Sequence, residues 1–135
     1  MRLILNRWSG RILRLTSKQQ TGAAAERQAL CHLKKNGLRL ITKNFSCRSG
    51  ELDLVMTDNA CTVVVEVRAR APNARVPALL TVDDIKQGKI IRATEVWLAN
   101  NEQYADIPVR FDIVTIDSGQ HGRAELQWFK DAFRA

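Results

Sequence analysis

The hydrophobic and polar positions along the chain predict two helices among several strands. Strong helix formers fill Thr21–Lys35, and Gly37 supplies the left-handed residue that commonly ends a helix. Thr81 and Asp84 have the spacing of a capping box, with Asp in place of Glu, so we predict a second helix from there to about Asn100. The predicted strands cover residues 38–45, 51–56, 62–68 and 109–116, and residues 126–133 form a closing helix or strand.

This order of elements predicts an α/β fold, with a mixed sheet covered by helices. The connection from strand 62–68 through the second helix to strand 109–116 is long enough for a right-handed crossover between parallel neighbours. Pro72 and Pro77 interrupt the pattern, so we predict a loop over residues 71–80. At 135 residues and 45% hydrophobic composition, one domain with a substantial core is expected.

The net charge of +7 is concentrated at the N-terminus. Residues 1–20 carry five basic residues and no acid, so we predict a flexible basic arm there and a separate folded domain over residues 21–135. The arm can bind phosphates, seek a surface through its apolar residues, or simply improve solubility. The longest apolar runs are too short to cross a bilayer, so we expect a cytoplasmic protein that does not associate with a membrane.

Acidic residues interrupt the two strands of the hairpin over residues 50–70. If the hairpin turns around a two-residue loop at Asp58 and Asn59, Asp53 lies opposite Val64 and Glu51 opposite Glu66. The acidic rows then share one face of the sheet, whereas an odd-length loop would separate them. Converging carboxylates need a compensating positive charge, because a charge in a low-dielectric environment is costly.

A divalent cation would satisfy these carboxylates compactly. Mg²⁺ (or Mn²⁺) takes carboxylate oxygens, keeps several waters and often completes its shell with a substrate phosphate, which points to phosphodiester hydrolysis. The alternative is a salt-bridge network in which Arg68 or Lys86 neutralises an acid without any metal. Glu51 is a secondary candidate that can equally cap the sheet edge. Asp112 is expected to pair with a cation and hold the strand register.

Several motifs in order along residues 20–133 resemble the YraN family of small bacterial proteins. That family is grouped with endonucleases and is similar to archaeal Holliday-junction resolvases. Asp53 followed by Glu66-Val-Arg68 is similar to the core signature of the PD-(D/E)xK nucleases, in which lysine commonly stands in the place of Arg68. The matching pieces are Gly22, Ala25-Glu26 and Ala29, Asn44-Phe45, Gly50-Glu-Leu-Asp-Leu54, Val65-Glu-Val-Arg68 with Arg70, Lys86, Arg110-Phe-Asp112 and Asp131-Ala-Phe133.

The resemblance implies a restriction-endonuclease-like mixed central sheet flanked by helices and a Mg²⁺ or Mn²⁺ site made by Glu26, Asp53 and Glu66. It also implies DNA as the partner, and a homodimer if the likeness to resolvases extends that far. The expected catalytic residues are Asp53, Glu66, Arg68 and Lys86. Arginine does not readily give up a proton, so Lys86 is the candidate substitute for the usual lysine.

Two functions remain open from the sequence. One is a metal-dependent DNA endonuclease, which the resolvase likeness extends to branched or junction DNA. The other is a catalytically weak or inactive nucleic-acid-binding protein that keeps the nuclease fold, an alternative that Arg68 favours. In either case the candidate phosphate contacts are Arg7, Arg11, Arg14 and Arg70.

Overall fold

The computed structural model describes residues 6–8, 11–13, 17–71, 75–118 and 124–135. Within these ranges the chain forms two α-helices, seven strands and two short 3-10 turns. The helices are α1 (Ser17–Lys35) and α2 (Asp84–Ala99), and the turns are Ala78–Thr81 and Glu102–Tyr104. The strands are β1 (Asn6–Trp8), β2 (Arg11–Leu13), β3 (Arg39–Cys47), β4 (Gly50–Thr57), β5 (Thr62–Arg70), β6 (Val109–Ser118) and β7 (Ala124–Phe133).

Five strands form the central sheet in the order β3-β4-β5-β6-β7. The pair β5–β6 is parallel and every other neighbouring pair in this sheet is antiparallel. The parallel pair is joined through α2, which confirms the predicted crossover. The predicted fold class, an α/β fold with a mixed central sheet flanked by helices, is therefore confirmed. The closing segment, which the sequence left open between helix and strand, is strand β7.

Each helix covers a different face of the sheet. Ala29 and Leu33 of α1 are buried in one apolar cluster with Val63 and Val65. Ile90, Ala93 and Trp97 of α2 are buried in a second cluster with Val55 and Val64. Since side chains alternate along a strand, the odd-numbered core residues of β5 face α1 and the even-numbered ones face α2. Glu66 follows this alternation, so its carboxyl group lies on the α2 face.

The N-terminal part begins differently from the prediction. α1 starts at Ser17, four residues before the predicted Thr21, so the folded part extends into the proposed arm. Upstream, β1 and β2 pair antiparallel, with Asn6 opposite Leu13. The flexibility of the arm stays a prediction, because much of residues 1–16 lies outside the described residues.

The turn between β4 and β5 corrects the predicted hairpin register. Val55 pairs with Val64 and Thr57 with Thr62, so four residues rather than two connect the strands. Asp58 explains the longer turn, because its Oδ1 accepts hydrogen bonds from the Ala60 and Cys61 amides at 3.2 and 3.0 Å. Glu51 consequently does not face Glu66 and instead pairs with Ser46 of β3. An even change in loop length keeps the paired residues Leu54–Thr57 on their predicted faces, whereas Leu52 departs from the alternation and joins the cluster of Val55.

The start of α2 is also corrected. The N-cap is Asp83, whose Oδ1 accepts the Lys86 amide at 2.9 Å, and Thr81 takes no part in capping. Thr81 instead closes the preceding 3-10 turn by donating from Oγ1 to the Ala78 carbonyl at 2.6 Å. The predicted loop over residues 71–80 thus ends in a short ordered turn. This turn places α2 so that Lys86, the third residue after the cap, reaches the sheet.

Candidate active site

The site lies where β4 and β5 separate. Their paired positions end at Leu54 opposite Val65. One step further, Asp53 turns its carboxyl group toward β5, and Oδ2 accepts the backbone amide of Val67 at 2.9 Å. A side chain therefore satisfies a backbone donor that a continuing strand would otherwise have paired. The separation gives the Glu66 carboxyl group room beside Asp53.

Asp53 and Glu66 are in hydrogen-bond contact, and two cations lie against Glu66. Glu66 is 4% exposed, and its Oε1 is 3.3 Å from Arg68 Nε and 3.4 Å from Lys86 Nζ. Arg68 shares the α2 face with Glu66 because it stands two residues further along β5. Lys86 reaches the same oxygen from the first turn of α2. The structure thus brings together the four residues that the sequence predicted as catalytic.

Burial dominates the electrostatics of this pair. Burial, followed by the Asp53 charge, raises the pKa of Glu66 to about 8, although Lys86 and Arg68 act in the opposite direction. Burial also raises the pKa of Asp53, and the Val67 amide only partly offsets this effect. In the metal-free protein both carboxyl groups are therefore protonated more readily than they would be in water. Additional positive charge at this position would stabilise both groups in their ionised form.

Glu26 approaches Asp53 from the other side of the sheet. It belongs to α1, which packs on the face of the sheet opposite Glu66, so the helix that carries the third expected metal ligand does not lie on the same side of the sheet as Glu66. Burial and then the Asp53 charge raise the pKa of Glu26. With the Asn44 side-chain amide turned so that its nitrogen faces Glu26, this nitrogen donates hydrogen bonds to both Glu26 carboxylate oxygens at 3.1 and 3.2 Å. The Asn44 side chain thus holds Glu26 near Asp53.

Asn44 is a site residue to which the sequence assigned no role. Its backbone is left-handed, with a φ of 55°, at a position where β3 runs antiparallel to β4 next to Asp53. Residues other than glycine adopt this conformation at a cost, and asparagine tolerates it best. The side chain type is therefore the one available signal in the sequence. Since asparagine is also common in turns, that signal does not locate a site by itself.

The residues present fit a divalent cation. Asp53 and Glu66 offer the one or two carboxylates that Mg²⁺ typically uses, and all three acids have a raised pKa. No three His, Cys, Asp or Glu side chains lie close enough together to surround a metal ion in the part of the chain that the structure describes. The set of Glu26, Asp53 and Glu66 as metal ligands stays a prediction.

One buried donor of the site has no hydrogen-bond partner. Arg68 Nε is buried, and its 3.3 Å approach to Glu66 Oε1 lacks hydrogen-bond geometry. An unsatisfied buried donor carries a free-energy cost that an incoming acceptor would remove. A phosphate oxygen is such an acceptor, and it also suits the positive charge of a guanidinium.

The four arginines predicted to contact phosphate are not brought together by any described contact. Arg70 is exposed at the end of β5, two residues beyond Arg68. Arg7 and Arg11 lie on β1 and β2, and their side chains lie outside the described residues. Arg14 lies outside them entirely. Their role in binding stays a prediction.

Asp112, in contrast, has the structural role that the sequence predicted. It is fully buried and accepts hydrogen bonds from Arg110 Nε at 2.8 Å and Nη2 at 2.9 Å. Trp128 Nε1 and the Asp131 amide, both on β7, also donate to it at 3.0 and 2.9 Å. This carboxylate joins β6 to the edge strand and takes no part in the site.

Several known proteins with the same description are similar to this chain over most of its length. A protein of Ectopseudomonas mendocina described as a UPF0102 protein is 48% identical over 121 residues, which are 90% of this chain and all of that one. A UPF0102 protein of Stutzerimonas stutzeri is 44% identical over 90% of this chain and 100% of its own length. A UPF0102 protein of Pseudomonas fluorescens strain Pf-5 is 43% identical over 87% of this chain and 95% of its own length.

A solved structure, that of Pyrococcus furiosus SfsA in complex with Ca²⁺, is similar over 90% of this chain and 67% of the other. The sequence identity is 12% and the TM-score 0.33, values too low to bear on the function of this chain.

None of the described helices is long and apolar enough to cross a membrane. The resemblance to the YraN family is confirmed by a family model that matches residues 25–116, well over half of the sequence. With this match and the relatives above, the chain belongs to the uncharacterised protein family UPF0102.

Proposed function

We propose that the protein is a metal-dependent DNA endonuclease of the PD-(D/E)xK type. The observation that carries the proposal is the contact between the Asp53 and Glu66 carboxyl groups at the separation of β4 and β5, with Lys86 and Arg68 against Glu66. Acidic metal ligands beside cations are the groups that phosphodiester hydrolysis requires. The YraN family is similar to Holliday-junction resolvases, so we extend the proposal to selective cleavage of branched or junction DNA.

Asp53 and Glu66 would hold a Mg²⁺ or Mn²⁺ ion, with Glu26 as a third, more distant carboxylate. The ion, when bound, polarises the scissile phosphate and lowers the pKa of the attacking water. Arg68 would donate from its unpaired Nε to a phosphate oxygen, which orients the substrate. Lys86 would leave Glu66 for the phosphate and stabilise the negative charge that develops in the transition state. Arg70 and the arm residues Arg7, Arg11 and Arg14 would contact more distant phosphates.

A cleavage assay tests the proposal. The wild type is incubated with duplex, single-stranded, flap and four-way-junction DNA in Mg²⁺, Mn²⁺ or EDTA. We expect metal-dependent cleavage that Asp53→Asn and Glu66→Gln abolish and Glu125→Gln, a change of an exposed acid on β7, preserves.

Cleavage that persists in Asp53→Asn would contradict the assignment of the site. DNA binding by a wild type that cleaves none of the substrates would support the alternative, a nucleic-acid-binding protein with an inactive site. Calorimetric titration of Mn²⁺ separates the remaining cases, because an inactive site can still bind metal.

A further inference from the structure

Three large hydrophobic residues are exposed on one short connection beside the candidate site. Val76, Leu80 and Ile85 are 45%, 66% and 71% exposed, and all lie between the end of β5 and the first turn of α2. Among the described residues, Ile107 at 37% is the other large hydrophobic residue with comparable exposure. Hydrophobic residues that gather at one place on a surface commonly mark a contact with a partner.

The 3-10 turn Ala78–Thr81 holds the Leu80 side chain outward. Ala78 and Val82 are buried on either side of Leu80, and Asp117 Oδ1 accepts the Ala78 amide at 3.3 Å. The Thr81 hydroxyl closes the 3-10 turn on the Ala78 carbonyl. Leu80 therefore extends from an anchored turn that packs against β5 and β6. Its exposure is a consequence of the local structure and not of a loose loop.

This surface adjoins the charged site. Ile85 immediately precedes Lys86, whose Nζ lies 3.4 Å from Glu66 Oε1. The two acids that precede Ile85 in the sequence belong to the start of α2, where Asp83 caps the helix and Asp84 lies in the first turn. Ile85 and Lys86 thus belong to the same first turn of α2, one exposed to solvent and the other directed to Glu66.

The charge of the segment suits a polyanion. Residues 68–92 carry a net charge of +4, from Arg68, Arg70, Arg75, Lys86, Lys89 and Arg92 against Asp83 and Asp84. Phosphate groups would be attracted to such a segment. An apolar protein partner would instead remove water from the cations of the segment, which costs free energy. Leucine and isoleucine offer no hydrogen bond to a base edge, but they can cover the apolar face of an unstacked base.

We propose that Leu80 and Ile85 form a contact surface for an unpaired or unstacked DNA base next to the cleavage site. This inference rests on the proposed nucleic-acid substrate and names the feature of the substrate that is recognised. In intact duplex DNA the base faces are covered by stacking, so Leu80 and Ile85 gain nothing from it. DNA with an unpaired base offers that apolar face, and the surrounding cations bind the adjoining phosphates.

Equilibrium binding in EDTA tests the proposal without any contribution from cleavage. Fluorescence anisotropy compares a fully paired duplex with the same duplex carrying a bulge of unpaired thymines. We expect the wild type to prefer the bulged duplex, and Leu80→Ala and Ile85→Ala each to weaken binding of the bulged duplex by about tenfold, the effect of losing a buried aliphatic contact. Binding of the paired duplex stays unchanged. Ile107→Ala, an exposed isoleucine that lies before β6, is the matched control and leaves both affinities unchanged.

Equal affinities for the two duplexes in the wild type, or an unchanged preference in both alanine variants, would overturn the proposal. The same holds if Ile85→Ala only converts a dimer to a monomer in sedimentation velocity, because the apolar residues would then form a protein interface. Cleavage is assayed separately in Mg²⁺. If the wild type prefers the bulged duplex but cleaves no DNA, the nuclease proposal is contradicted and the base-contact proposal stands. If it cleaves DNA without preferring the bulged duplex, the base-contact proposal is contradicted and the nuclease proposal stands.

Discussion

Asp53 accepts the backbone amide of Val67 through Oδ2 at 2.9 Å, where β4 and β5 no longer pair through their backbones. One carboxyl group therefore serves the fold and the candidate site together. Because the bond fixes the side chain toward β5, the Asp53 carboxyl group lies beside that of Glu66. The same residue then determines both the opening of the sheet and the charge within it.

Two substitutions at Asp53 separate these roles. Asp53→Asn keeps an acceptor for the Val67 amide and removes one charge, so we expect the metal-free protein to be as stable as the wild type or more stable, with Mn²⁺ binding and cleavage lost. Asp53→Ala removes the acceptor and is expected to cost about 1–3 kcal/mol of unfolding free energy. Urea unfolding and calorimetry measure the two effects. Wild-type metal affinity in Asp53→Asn would contradict the assignment of Asp53 as a ligand.

Lys86 and Arg68 contact the same oxygen of Glu66 but are expected to differ in function. Lys86→Ala is expected to lower the cleavage rate by roughly 10² or more, as removal of a preorganised charge typically does. Arg68→Lys is expected to preserve or raise the rate, because an ammonium group approaches a phosphate more closely as a point charge. Single-turnover cleavage measures both.

Lys34→Ala, an exposed change at the end of α1, controls for the loss of a positive charge. A rate for Lys86→Ala equal to that of this control would remove Lys86 from the mechanism.

Glu66 makes the stability of the metal-free protein depend on pH. Its pKa rises from 4.5 to about 8 on folding, so the folded state retains a proton that the unfolded state loses as the pH rises above about 4.5. The stabilising contribution is therefore complete below pH 4.5 and is lost as the pH rises toward about 8. We expect wild-type unfolding free energy to fall over this range relative to Glu66→Gln by about 5 kcal/mol, since each pKa unit corresponds to about 1.4 kcal/mol. Chemical unfolding in EDTA at several pH values measures the difference, and parallel curves would contradict it.

The convergence of Asp53 and Glu66 could be predicted from the sequence although the predicted register was wrong. Strand alternation has a period of two, so a loop of four residues leaves the same side chains on the same face as a loop of two. The number of loop residues depended on hydrogen bonds from the Asp58 side chain to the turn amides. Such local bonds compete with a tight turn by small free energies, which a residue pattern does not resolve.

The position of Glu26 could not be predicted in the same way. Its spacing from Leu30 and Leu33 correctly indicates the inward side of α1, and the side chain is half-buried. Which face of the sheet receives α1 is decided by long-range packing, in which Leu33 joins Val63 and Val65. Periodicity within one helix contains no information about that choice. The left-handed backbone of Asn44 is likewise a consequence of the paired strands.

Asn44 combines a strained backbone with a hydrogen bond to Glu26, and substitutions can separate the two contributions. Asn44→Gly permits the φ of 55° without strain but removes the amide, whereas Asn44→Ala loses the amide and adds strain. We expect Asn44→Ala to be less stable than Asn44→Gly by about 1–2 kcal/mol. Both variants are expected to weaken Mn²⁺ binding equally if Glu26 takes part in the metal site, because its carboxylate is no longer held near Asp53.

Asn59 provides the control for the backbone, since it is also left-handed, with a φ of 78°, but lies in the β4–β5 turn. Asn59→Gly relaxes a comparable backbone without contact to Glu26, so metal affinity is expected to stay at the wild-type value. Urea unfolding and Mn²⁺ calorimetry on the three variants give the complete comparison. Unchanged metal affinity in both Asn44 variants, with the expected difference in stability, would restrict Asn44 to the fold and remove Glu26 from the metal site.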